Sequence, residues 1–167
     1  MEHAIEQLTA AMIAYDAGDP MRIHHFLKVH AFARLIGRLE GLDEHTQSVL
    51  EGAALVHDIG IHPAEAKYGS SAGKYQEELG PAEAEKLLAG LGWPEADIQR
   101  ISFLVGHHHT YTAMDGIDYQ ILVEADFLVN LYEDALPPEA QQHAYNTVFR
   151  TEAGKKLCRE LYPAVCQ

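Results

Sequence analysis

Cysteine is scarce in this sequence. Its 167 residues include only Cys158 and Cys166, which lie eight residues apart near one end. Two such thiols do not make the disulfide framework of a small secreted domain. Long apolar runs are also absent, and the first 18 residues carry no basic segment typical of a signal peptide. We therefore expect reduced thiols in a cytoplasmic protein.

Positive charge is scarce as well. The chain has 12 lysines and arginines against 25 acidic residues, which gives a formal net charge of −13. The basic residues are scattered, so the protein should repel duplex nucleic acid and anionic membranes. We expect neither as a partner. An anionic substrate should be small and held locally with help from a cation, and a homodimer remains open.

What is present is a helical pattern along nearly the whole chain, without the alternation of a strand. Hydrophobic residues make up 47% of the sequence, and its length fits a single domain over residues 1–167. The pattern predicts an all-α, compact bundle of about seven to eight helices. The predicted helices cover residues 2–17, 20–40, 43–57, 81–91, 94–109, 118–134, 138–150 and 152–162.

Three histidines fall where helical periodicity requires apolar residues. His25 lies within the apolar stripe of its helix, and His57 continues the buried face of the next one. Asp58 follows at the frayed end of that helix, where its side chain can turn toward the same space. His108 continues the stripe of the helix that begins near Pro94.

Asp126 is the clearest departure from the apolar pattern, because residues 121–131 are apolar almost all round. A buried carboxylate must be paired, hydrogen-bonded or bound to a metal. Any one of these polar residues alone fits an ordinary core position. Three histidines and two aspartates facing one core, with few buried basic partners, indicate a shared divalent ion such as Zn, Fe, Mn or Ni.

The order of these residues resembles the HD superfamily of metal-dependent phosphohydrolases. The resemblance rests on R-I-H-H-F-L-K-V (22–29), A-A-L-V-H-D-I-G (53–60) and V-E-A-D-F-L (123–128), and it covers about residues 20–135. The C-terminal helices should pack on this core. The resemblance implies hydrolysis of a small phosphate ester, often a nucleotide, by a metal-activated water. It also implies four metal ligands, namely His25, His57, Asp58 and Asp126.

Family members with two metals carry further histidines before the final aspartate. Here H-H-H (107–109) could supply one or two, with His108 nearest a second ion and His107 and His109 placed to donate to a leaving group. Gln76 stands where another histidine would be expected, and an amide is a poorer ligand than imidazole for transition metals. We therefore expect one tight ion and at most a weaker second one. Other candidates that could compensate are Glu77 and His62.

Residues 61–80 lack a sustained apolar period and are rich in glycine, serine and alanine. They are predicted to form a long loop after the His57-Asp58 pair that covers the metal pocket and admits the substrate. Lys74 in this loop and Arg22 beside His25 are the candidate substrate-binding residues, since each could meet a phosphate.

Two other functions remain open. One is a di-iron oxygenase of the HD type, against which Gln76 argues because six protein ligands are needed. The other is a non-catalytic, metal-binding regulatory domain.

Overall fold

The computed structural model describes residues 2–167, with side chains from Ala4 onward. These residues form nine α-helices and no strand, which confirms the all-α class. The helices are α1 (Glu2–Tyr15), α2 (Pro20–Leu39), α3 (Glu44–Val56), α4 (Ile61–Tyr68), α5 (Gly73–Gly90), α6 (Glu95–Val105), α7 (Ile117–Glu133), α8 (Pro138–Thr147) and α9 (Glu152–Leu161).

Capping side chains start two of the helices that carry the candidate site. The Asp19 carboxylate accepts a hydrogen bond from the Arg22 amide at the start of α2, where Pro20 takes the first position. The Asp43 carboxylate accepts from two amides of α3. Gly41, at φ +75°, adopts the left-handed conformation just beyond α2. These helix limits agree with those predicted from the sequence.

The prediction of a loop over residues 61–80 is wrong. The segment contains α4 and the first half of α5, joined only by residues 69–72. The buried face of α5 recurs every four residues, but its members are Gln76, Gly80, Ala84 and Leu88. Half of these residues are polar or lack a side chain, so the helical period was not visible as an apolar stripe.

Pro81 was predicted to start a helix, yet it lies inside α5. A proline there removes one backbone hydrogen bond and usually ends or bends a helix. Its ring packs against Gly106, where an added Cβ would stand 3.1 Å from Pro81 Cγ. Gly106 also caps α6, which ends at Val105, four residues before its predicted end. The three histidines 107–109 therefore lie in the turn after α6.

The side chains of α7 are buried along most of its length. Helices α2, α3 and α7 contact one another, α6 lies against α3, and α5 against α6. One cluster of buried apolar residues extends from α1 to the C-terminal segment. Within residues 2–167, none of the helices is both long and apolar enough to cross a membrane.

The C-terminal segment packs on this core through α9. Helix α9 contacts α7 and α2, and the Tyr162 hydroxyl donates to the Leu128 carbonyl at 3.1 Å. Cys158 and Cys166 are buried free thiols with their sulfurs 3.2 Å apart.

Two glycines bring α5 against the turn that follows the His57-Asp58 pair. A Cβ added to Gly60 would stand 2.8 Å from the Gln76 carbonyl oxygen and 2.9 Å from Gly80 Cα. All of these neighbours are backbone atoms, so a rotamer change cannot relieve the contact. The close approach therefore sets the distance between the His-Asp turn and α5.

We predict that Gly60→Ala destabilises the fold by about 1–3 kcal/mol, since the new methyl group forces two backbone segments apart. Gly90→Ala is the matched control, because no atom lies within 4 Å of its added Cβ and it adopts no left-handed conformation. The control should be neutral or stabilising by up to about 1 kcal/mol. Urea unfolding measures both, and equal stabilities would contradict the prediction.

Candidate metal centre

Four polar side chains from three segments meet at the centre of the fold. His25 Nε2 lies 3.2 Å from His57 Nε2, 3.2 Å from Asp58 Oδ2 and 3.2 Å from Asp126 Oδ1. His57 Nε2 stands 3.4 Å from the same Asp58 oxygen and 3.5 Å from the same Asp126 oxygen. His25, His57 and Asp126 are buried, and the Asp58 side chain is 15% exposed. The structure thus brings together the four residues predicted as ligands.

Helix ends aim two of the histidines at this point. His57 follows the last residue of α3, and its Nδ1 bonds to the Ala54 carbonyl at 2.7 Å. His108 follows α6, and its Nδ1 bonds to the Val105 carbonyl at 2.8 Å. Carbonyls in the last turn of a helix have no amide partner within the helix, so they accept from these rings. With Nδ1 donating, Nε2 of each ring faces the pocket, where it can bind a cation once it carries no proton.

A second group of possible ligands adjoins the first and shares Asp58. One ligand atom from each of Asp58, His108 and His109 lies within 4.8 Å of the others. His108 Nε2 is 3.3 Å from Asp58 Oδ1, and it is buried without a hydrogen-bond partner among the described residues. A buried ring nitrogen without a hydrogen bond is uncommon in a folded core. Its position beside a carboxylate oxygen suits a cation.

The side-chain amide of Gln76 contacts His109, which belongs to the second group. Its Oε1 lies 3.1 Å from His109 Nε2, and its amide nitrogen donates to the Ser71 carbonyl at 2.8 Å. Glu77, weighed as a substitute ligand, instead accepts hydrogen bonds from the His109 amide and the Thr110 hydroxyl.

Two other histidines considered from the sequence lie outside the pocket. The His107 ring stacks on Phe103 with centroids 4.1 Å apart, and its Nδ1 bonds to the Phe103 carbonyl. His62 Nε2 lies 3.4 Å from an Asp16 oxygen and 3.2 Å from an Asp19 oxygen. The suggestion that His107 donates to a leaving group is therefore corrected, because its ring packs on Phe103 of α6.

Of the two candidate substrate-binding cations, Arg22 is the one that the structure places beside a candidate ligand. The Arg22 guanidinium lies 3.9 Å from Asp58 Oδ2 and is partly exposed. Lys74 is exposed on the first turn of α5, with its ammonium 4.7 Å from the centre of the Tyr75 ring. Its neighbour Gly73 packs against the His109 ring, where an added Cβ would stand 2.9 Å away. Lys74 is thus held by a helix rather than by the mobile loop predicted for it.

Three residues that the sequence did not single out contact the candidate ligands or one another outside the pocket. The Asn130 amide donates to Asp126 Oδ1 at 2.9 Å. Glu133 Oε2 lies 3.1 Å from His25 Nδ1, and Glu133 Oε1 pairs with the Lys28 ammonium at 2.6 Å. Asn130 and Glu133 follow Asp126 at helical spacings of four and seven residues. This spacing, which places the three residues on one face of α7, was the available signal.

The close packing of imidazoles and carboxylates changes their pKa values in opposite directions. Burial opposes the charged form of His25, but hydrogen bonds to Asp126 and Asp58 outweigh it and raise the pKa of His25 to about 9. Burial likewise opposes charging of His57, yet the charges of Asp58 and Asp126 raise its pKa well above the ordinary value. The same contacts hold the pKa of both carboxyls below their usual range despite burial. Without a metal, protons on imidazole therefore balance the carboxylates.

Comparison with known proteins identifies the fold. No protein-family model and no curated protein matches this chain. The crystal structure of a predicted HD superfamily hydrolase from an uncultured Thermotogales bacterium matches with a TM-score of 0.64 and 26% sequence identity, over 99% of this chain and 86% of that one. The chain therefore has the HD-domain fold, as its sequence motifs predict.

We predict that the metal-free protein loses thermal stability between pH 6.5 and 9. The folded pKa of His25, about 9, lies above its ordinary value of 6.5. The stabilisation from its protonated form is fully present below pH 6.5 and disappears as the pH rises through 9. Melting curves of chelator-treated protein should show a falling Tm, with a smaller fall in His25→Gln. A Tm that is constant or rises over this range would contradict the assignment.

Proposed function

We propose that this protein is a metal-dependent phosphohydrolase that cleaves a small phosphate ester, with nucleotides as the expected class. The observation that carries the proposal is the convergence of His25, His57, Asp58 and Asp126 at the centre of an HD-domain fold. A related structure described as a predicted HD superfamily hydrolase supports the reaction class.

The chemistry of the pocket suits a divalent transition metal. His25 and His57 direct their Nε2 atoms at each other and at two carboxylate oxygens, an arrangement that leaves several lone pairs facing one point. Imidazole and carboxylate together suit Zn, Fe, Mn or Ni. A bound ion would polarise the phosphoryl group and bring the pKa of a water toward neutrality.

The residues around the pocket would position an anionic substrate. Arg22, at 3.9 Å from Asp58, places a positive charge at the edge of the pocket. A guanidinium can bind a phosphate through two parallel hydrogen bonds, which fixes orientation as well as charge. Lys74 lies next to Gly73, which touches His109, so it is the candidate for a second, more distant charge. Both would lower KM more than they raise kcat.

The group of Asp58, His108 and His109 supports a weaker second ion beside the first. The His109 ring nitrogen nearest Gln76 already bonds to that amide, so binding there must displace the contact. This competition favours one tight ion, in line with the expectation from the sequence. A di-iron oxygenase would instead hold two irons and change its absorption with oxygen, and a regulatory domain would bind metal without turnover.

We predict that Asp58→Asn lowers phosphoester turnover by more than about 100-fold, since the shared carboxylate contributes several kcal/mol through the metal. The substrates are p-nitrophenyl phosphate and a panel of nucleotides and sugar phosphates, each tested with Fe²⁺, Mn²⁺, Zn²⁺ and Ni²⁺. Asp134→Asn is the control, because this exposed carboxylate lies beyond α7. Circular dichroism checks that both variants fold. The absence of turnover in the unmodified protein with every metal, or equal turnover in Asp58→Asn, would contradict the proposal.

A further inference from the structure

The three pocket histidines are oriented in two different ways. His57 and His108 follow helix ends, and each bonds through Nδ1 to a backbone carbonyl three residues earlier. His25 lies inside α2, where the carbonyls of the preceding turn already accept from helix amides. Its Nδ1 therefore needs a partner from outside its own helix. Glu133, the last residue of α7, provides this partner at 3.1 Å.

The position of Glu133 in its own helix does not explain its presence. An acidic residue in the last turn is unfavourable there, because the C-terminal end of a helix carries partial negative charge. Glu133 is instead held from two sides, by His25 through Oε2 and by Lys28 through Oε1 at 2.6 Å. Lys28 lies one turn after His25 on α2, so the same helix supplies both contacts. This arrangement fixes the direction of the carboxylate.

We propose that Glu133 is a positioning residue for the metal centre, which keeps a proton on His25 Nδ1 and directs Nε2 into the pocket. A carboxylate behind an imidazole also raises the basicity of the nitrogen that faces a metal. The backbone carbonyls that accept from His57 and His108 carry no full charge. Of these three histidines, His25 should therefore have the most basic Nε2 and bind a metal most strongly through it. The inference rests on the proposed metal-dependent function for its role, but the contact between His25 and Glu133 can be tested without a metal.

Substitution at this position should leave the fold intact. The Glu133 side chain is 21% exposed and lines an open surface groove with Lys28, Met21 and His24. Removal of the side chain therefore leaves a space that is open to solvent, and it creates no internal cavity. Glu133→Gln keeps an oxygen that can accept from Nδ1 and removes only the charge. Asp134→Ala is the matched control, since it removes an exposed carboxylate one residue further along.

The experiment measures zinc affinity by competition with a chromophoric chelator. Glu133→Ala should bind Zn²⁺ about 10–100-fold more weakly than the unmodified protein, which is the usual effect of losing a partner behind a metal ligand. Glu133→Gln should fall between the two, and Asp134→Ala should match the unmodified protein. Affinities of both Glu133 variants equal to that of Asp134→Ala would overturn the inference. If Glu133→Ala does not fold, Glu133→Gln decides alone.

A second readout separates this inference from the proposed function. In the metal-free protein, the His25 Nδ1 proton should give a downfield, slowly exchanging NMR signal that disappears in Glu133→Ala and persists in Asp134→Ala. A signal that survives in Glu133→Ala overturns the positioning role, whatever the zinc affinity. If the unmodified protein shows the signal but binds no divalent ion, the proposed function fails while the orientation of His25 by Glu133 is supported.

Discussion

Two carboxylates, those of Asp58 and Asp126, share the same imidazole nitrogens near the centre of the protein, and this is the constraint on which the structure depends. The two like charges repel each other, since the charge of Asp58 acts to raise the pKa of Asp126, and burial makes each charge more costly. The pocket therefore requires positive charge at that point. The raised pKa values of His25 and His57 provide it as protons, and a divalent ion would provide it more compactly.

The helical architecture follows from bringing these groups together. His25 and Asp126 come from the interiors of α2 and α7, where rigid backbone holds each side chain in place. His57 and His108 come from the ends of α3 and α6, where free carbonyls fix the ring orientation. Each pocket histidine thus has its second nitrogen occupied by the fold. This leaves the Nε2 atoms available for the chemistry.

The sequence predicted which four side chains meet here, because its signals were polar residues on apolar faces. His25 and Asp126 were visible in this way, and the H-D-I-G segment carried the resemblance to HD proteins. The helix over 61–68 was missed because it buries only Ile61 and Ala64, too few to form an apolar stripe. The run of α5 through Pro81 was missed because this part of the helix buries Gln76 and Gly80. The packing of α5 against the His-Asp turn depends on the close approach of Gly60 to its backbone. A contact between segments so far apart in the chain leaves no local pattern in the sequence. Glu133 was missed because its partners lie on another helix.

The central claim is that these four side chains bind one divalent ion. Anomalous diffraction at the zinc absorption edge, from crystals grown with Zn²⁺, tests this claim most directly. We expect a strong peak with ligand atoms of His25, His57, Asp58 and Asp126 at about 2.0–2.3 Å from it. A zinc-soaked crystal with no peak at this point, or with its strongest peak on other residues, would contradict it.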